Sequence, residues 1–115
     1  RMLGVMAAYE SVQANKPDDE ILEALVTTMN NDGNSNVRLA AIEALSKFTE
    51  EETVRKALVQ SLSVQKDPVV QIALIQLLVQ MKEKGAVKSF EQIIDDEQVL
   101  PAVKDEAHAG IFKLS

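Results

Sequence analysis

The 115-residue sequence has no cysteine and no tryptophan. Without cysteine there is no disulfide framework, no thiol nucleophile and no thiolate zinc site. Aromatic residues are scarce, one Tyr and three Phe. Tyr9, Phe48, Phe90 and Phe112 do not interleave with basic residues, which removes a base-stacking platform. Positive charge is short as well: 12 Lys and Arg against 18 Asp and Glu leave a net charge of −6. The cations are scattered, whereas a nucleic-acid surface needs them clustered to displace counterions, so no nucleic-acid partner is expected. No apolar run approaches the roughly 20 residues of a membrane helix, so these residues read as a soluble domain without direct membrane insertion. There is no glycine-rich phosphate loop, and no cofactor is expected.

What is present is a repeat. Val37-Arg38-Leu39-Ala40-Ala41-Ile42-Glu43-Ala44-Leu45 is followed 33 positions later by Val70-Gln71-Ile72-Ala73-Leu74-Ile75-Gln76-Leu77-Leu78. Another 33 positions bring Val103-Lys104-Asp105-Glu106-Ala107-His108-Ala109-Gly110-Ile111. A period of that length marks stacked helical units, and abundant Ala, Leu, Gln, Glu and Lys favour helix over sheet. Arg1 to Ala8 resembles Arg38 to Leu45, which predicts a half-repeat over 1–16. Three repeats then cover 17–48, 49–84 and 85–115 of one domain. The chain starts at Arg1 rather than Met, which predicts a segment of a longer polypeptide.

Within the first repeat, Ile21, Leu22, Leu25, Val26 and Met29 predict the buried face of a leading helix over 18–30. After the Asn-rich turn 30–34, a trailing helix over 35–48 turns Val37, Ala41, Ala44, Leu45 and Phe48 inward. Thr49 and Glu52 have capping-box spacing, and Val54, Ala57, Leu58 and Leu62 mark the next leading helix. Asp67-Pro68 predicts an N-cap and first helical residue. The helix that follows, over 68–83, is the most apolar and is expected to end at Lys84-Gly85. Val87, Phe90, Ile93 and Ile94 mark the third leading helix over 86–95. Its connection to Pro101 is one residue longer than the others, and a more polar final helix over 101–114 suits the end of a stack.

Ala86 to Asp96 resembles the first half of a HEAT repeat, and Asn36 to Leu45 resembles the second half. The resemblance spans nearly the whole chain. It implies an all-α fold, a short right-handed α-solenoid of about three and a half HEAT-like helix pairs. The second-helix Asp and Arg of the family are incomplete. Arg38 becomes Gln71 and then Lys104, and Asp67 corresponds to Asn34 and Leu100, so a regular polar ladder between repeats is not expected. The segment order is also similar to HEAT domains of bacterial membrane-anchored anti-sigma-factor-like proteins. That likeness implies a regulatory or sensor domain, extracytoplasmic if an upstream anchor exists and cytoplasmic by default.

Candidate binding residues come from apolar side chains where such a helix is usually solvated. Leu39 aligns with Ile72 and Met2, while Ser46 aligns with Val79, Phe112 and Tyr9; Met6 and Ile42 widen the band. Second helices of HEAT stacks line the concave side, which implies a groove for a peptide or protein partner. The competing reading is packing between repeats, and exposure of Leu39, Ile72 and Val79 on one face separates the two. Met2, Leu3, Val5, Met6 and Tyr9 form a second candidate surface, an N-terminal flank for upstream residues, a partner or a second copy.

Other groups read as structural. Asp32, Asn34, Asn36 and Glu43 imitate positions 1, 3, 5 and 12 of a calcium loop, but Val37 replaces the required glycine, so no metal site is expected. Asp18-Asp19-Glu20 and Glu50-Glu51-Glu52 complement helix dipoles, and Asp95-Asp96-Glu97 reads as a solvated turn. His108, the single histidine, lacks a nucleophile or ligand partner and is expected half-buried. The function expected is non-catalytic protein binding. A structural spacer is the alternative from another class; HEAT-like bilin lyases and DNA glycosylases need a polar His- or Tyr-bearing cleft or a basic aromatic groove.

Overall fold

Local signals start the helices. The Asp18 carboxylate accepts from the Glu20 amide at 2.8 Å and opens α1 (Asp19–Asn31). The Asn34 side chain accepts from the Asn36 and Val37 amides and opens α2 (Ser35–Leu45). Asp67 accepts from the Val69 amide at 2.8 Å, and Pro68 then begins α4 (Pro68–Gln80). Caps of this kind contribute about 1 kcal/mol each by satisfying amides the helix leaves open. The remaining elements are α3 (Glu52–Val64), α5 (Val87–Asp95) and α6 (Pro101–Leu114), with 3₁₀ turns at Ser46–Phe48 and Lys84–Ala86. This computed structural model describes residues 18–115, and among them there is no strand. The half-repeat 1–16, with Met2, Met6 and Tyr9, lies outside the described residues.

Several helix ends differ from expectation. The Thr49–Glu52 capping box does not form; Glu51 occupies the cap position without a side-chain bond. The 3₁₀ turn after α2 carries the chain through 49–50, and Arg55 Nη1 takes the carbonyls of Thr49 and Glu50 at 2.8 and 2.9 Å. α4 ends at Gln80, and Gly85 lies in the second 3₁₀ turn rather than terminating the helix. The terminator is Lys82, with φ of 59°. Its amide bonds the Val79 carbonyl at 2.9 Å, and the Glu83 amide bonds that of Leu78 at 3.0 Å. This is Schellman closure with lysine in the left-handed place that glycine usually fills.

The helices pair as α1 with α2, α3 with α4 and α5 with α6. Leading helices α1, α3 and α5 form one row, and trailing helices α2, α4 and α6 form the other. This is an all-α helical-repeat solenoid in which each pair touches only its neighbours. The core runs between the rows: Leu22 and Met29, then Leu45, Leu58 and Leu74, then Phe90, Val103 and Leu114. Helix α4 is apolar nearly all round because α3 and its row neighbours α2 and α6 cover it. Val37, expected inward, is 40% exposed at the start of α2.

Candidate functional site: a cleft at the turn edge

The expected apolar band along the trailing helices is not a continuous exposed surface. Ile42 belongs to the core at 5% exposure, and Leu39, Ile72 and Val79 are half-buried against it. The trailing helices contact one another along their row, and Val79 shows the effect where its methyl group lies against α6. Phe112 alone among the described candidates is open, at 84%. It stands 33 positions after Val79, whose methyl group packs beside Gly110 of the next pair. His108, expected half-buried, is exposed on α6.

The calcium-like residues are otherwise employed. Asp32 accepts from the Asn34 amide at 2.8 Å, and Asn34 caps α2. Glu43 is exposed eight residues along that helix from Ser35, about 12 Å down its axis.

Two polar residues unremarked in the sequence, Ser61 and Gln65, prove central. Among the described residues, Ser61, Gln65 and Gln71 are the buried polar side chains, all at 5% exposure or less. Gln65 follows α3 as its C-cap and ties the first pair to the second. Its Nε2 donates to the Met29 carbonyl at 2.8 Å and to Ser61 Oγ at 3.0 Å. Arg38 Nη1 donates to Gln65 Oε1 at 2.8 Å, while Arg38 Nε donates to the Asp32 carbonyl. Beside them the Ser35 hydroxyl donates to the Asp67 carboxylate. That bond foremost, then the Val69 amide and others including the Arg38 charge, holds the Asp67 carboxyl below its usual range. A polar ladder therefore does exist across this junction, with glutamine supplying what the family Asp–Arg pattern lacks.

One repeat on, the ladder stops. Gln71 takes the place of Arg38 and reproduces one of its two bonds, Nε2 to the Gln65 carbonyl at 3.0 Å. Pro68 and Leu100 stand where Ser35 and Asp67 bond, so that link has no equivalent. The turns also differ. Three residues, 32–34 and 65–67, separate the first two helix pairs' members, but five, 96–100, separate α5 from α6.

Here lies a cleft of about 550 Å³. Gln65, Lys66, Pro68 and Gln71 form one wall; Gln92, Asp96, Gln98 and Leu100 belong to the other. Leu100 is 53% exposed, and the exposed Val64 and Val69 lie within two residues of lining side chains. Amides with an apolar rim suit a ligand that is hydrogen-bonded and partly apolar at once. Signals for this site were available in the spacing of Gln65 to Gln98, which is the same 33 as the helix repeat.

No helix among the described residues is long and apolar enough to cross a membrane. Searches of curated proteins and of solved structures returned no match. A family model for HEAT repeats, however, matches residues 6–78, more than half of the chain and across the first polar junction. The alternating helix rows and the 33-residue spacing agree with that match, and the chain belongs to the HEAT-repeat family.

Proposed function

We propose that this domain is a non-catalytic protein-binding module that holds a partner segment at its turn edge, in the cleft between the second and third helix pairs. The observation that carries this reading is the interruption of the polar ladder, which leaves amide groups and the exposed Leu100 together in a cleft of about 550 Å³. The carboxylate held below its ordinary range, Asp67, is engaged by Ser35 within the scaffold rather than set beside a nucleophile. HEAT repeats commonly mediate protein–protein interaction, which favours the same class of function.

The test is site-specific photo-crosslinking in cells with a probe at Val69 or Leu100, and at Ile21 as an equally exposed control. The expected result is a discrete adduct from positions 69 and 100. Equal labelling from Ile21, or no adduct at the cleft, overturns the reading.

A second contact at Phe112 is favoured by its 84% exposure at a position whose counterpart, Val79, packs on the next pair. Of the trailing-helix residues Leu39, Ile42, Ile72, Val79 and Phe112, it is the exposed member. Self-association through the N-terminal flank of Met2, Met6 and Tyr9 is tested by sedimentation; a monomer at all concentrations counts against it.

A further inference from the structure

The two junctions can be superposed in register, because α2, α4 and α6 begin at 35, 68 and 101. At the first junction a guanidinium bridges two turns. Arg38 donates to the Asp32 carbonyl on its own turn and to Gln65 Oε1 on the next. At the second junction the corresponding residues are Gln71, Gln65 and Gln98. Gln71 makes the bond to its own turn, through the Gln65 carbonyl. A glutamine has one nitrogen and a shorter reach, so the second bond, to Gln98, is not made. Gln98 is exposed, and its side chain meets no donor or acceptor among the described residues.

The cleft is thus lined by one acceptor, Gln98 Oε1, whose counterpart the first junction satisfies, and by a second, Gln71 Oε1, that the change from arginine introduces. Gln71 is 5% exposed, yet no donor among the described residues reaches its Oε1. That oxygen keeps contact with solvent along the cleft its residue lines. Asp96 lines the far wall, with Asp95 and Glu97 exposed beside it. Asp96 also accepts from the Gln98 amide at 2.8 Å, and the net charge of the chain is −6. An acidic cluster alone would specify nothing. Together with the solvent-open Gln71 oxygen and the vacated bridge, it favours a cationic donor that spans both walls.

We propose that the cleft binds the guanidinium of an arginine carried on an extended segment of the partner, placed between Gln71 and Gln98 to close the bridge that a continuing ladder would have made. The guanidinium nitrogens donate to Gln71 Oε1 and Gln98 Oε1 across the two walls, and Asp96 supplies the charge. Arginine fits better than lysine because its planar fork donates to several acceptors on different elements at once, as Arg38 does at the first junction. The arginine's stem and its flanking residues lie along Pro68 and the exposed Leu100. Lys66 opposes this binding. Its ammonium shares the cleft wall and forms no ion pair among the described residues. This proposal rests on the reading of the cleft as a partner site.

The experiment is an NMR titration of the isotopically labelled domain with three small probes: N-acetyl-arginine methylamide and its lysine and citrulline counterparts. Saturable shifts of the Gln71 and Gln98 side-chain amides and of backbone 96–100 are expected with arginine, smaller ones with lysine and none with neutral citrulline. Asp96→Asn weakens arginine binding roughly 2- to 5-fold, as loss of an exposed charge partner does. Lys66→Ala strengthens it by a similar factor, and added salt weakens it. Gln71→Leu removes it; should that variant misfold, Gln98→Ala, at an exposed site, tests the opposite wall with a loss of at least about 3-fold. Equal shifts from citrulline, or shifts insensitive to both Asp96→Asn and Gln98→Ala, overturn the guanidinium assignment. A silent titration alongside a persistent crosslink at Leu100 defeats this proposal alone, whereas loss of the crosslink defeats the cleft itself.

Discussion

The first and second junctions of this solenoid use the same repeat and hold together by different means. Between the first and second pairs, Arg38, Gln65, Ser35 and Asp67 form a polar tie at the turn edge. Between the second and third pairs that edge is open, and the hold has moved to the trailing helices. There Gly110 lets α6 close on its neighbours: a Cβ added at this glycine would sit 2.7 Å from Phe90 Cε2 and 3.1 Å from a Val79 methyl. The difference teaches that a helical repeat is fastened at two places along each interface, and that slackening one is tolerated when the other is tightened. The slackened place becomes available for binding.

The comparison is broken most severely at the apolar hold. Phe90 is fully buried, so Phe90→Ala is expected to destabilise by about 3–5 kcal/mol in denaturant unfolding. Gly110→Ala should follow, losing roughly 1–2 kcal/mol because about 1 kcal/mol of helix propensity offsets part of the overpacking. A double-mutant cycle sharpens the assignment: Phe90→Leu should relieve part of the Gly110→Ala loss, and strict additivity would dissociate the two residues.

At the polar hold, Gln65→Leu strands the Met29 carbonyl and the Arg38 donor, with an expected loss of about 1–3 kcal/mol. That loss should fall on hydrogen-exchange protection of α1 and α2 more than on α5 and α6 if the junctions are independent. Between the junctions, Lys82→Gly relieves a left-handed lysine and should stabilise by up to about 1 kcal/mol in thermal unfolding. The smallest effect expected is a pH dependence. Asp67 has a folded-state value below its ordinary one, so its contribution is full above the unfolded range near about 3.9 and is lost as pH falls through the folded value. Acid titration of stability below about pH 4 should therefore be shallower in Ser35→Ala than in the parent domain.

Much of the scaffold was legible from local pattern. Asp18, Asp67 and Pro68 act where their types and neighbours predict, whereas Asn34, read only as part of a turn, is also the cap of α2. Helix ends were less so: the left-handed position fell on Lys82, because closure followed the last turn of α4 rather than the nearest glycine. The site was the least legible. Leu39, Ile42 and Ile72 read as spare apolar residues, and the core took up Ile42 in full and the other two in part. Gln65 read as unremarkable, and burial made it the hub of the ladder.

By itself the sequence determined the helices, their period and the Asp67–Pro68 start, since those depend on side chains within about four residues of the groups they satisfy. It also determined membership in the HEAT-repeat family, which is a pattern along the chain. Only the tertiary structure decided which polar residues join, which apolar ones remain open and where a cleft is left. Those outcomes turn on partners roughly a full repeat apart, such as Gln65 with Met29 and Arg38, or Gly110 with Val79. Whether such residues meet depends on the closeness of neighbouring pairs, a distance that the 33-residue period does not encode.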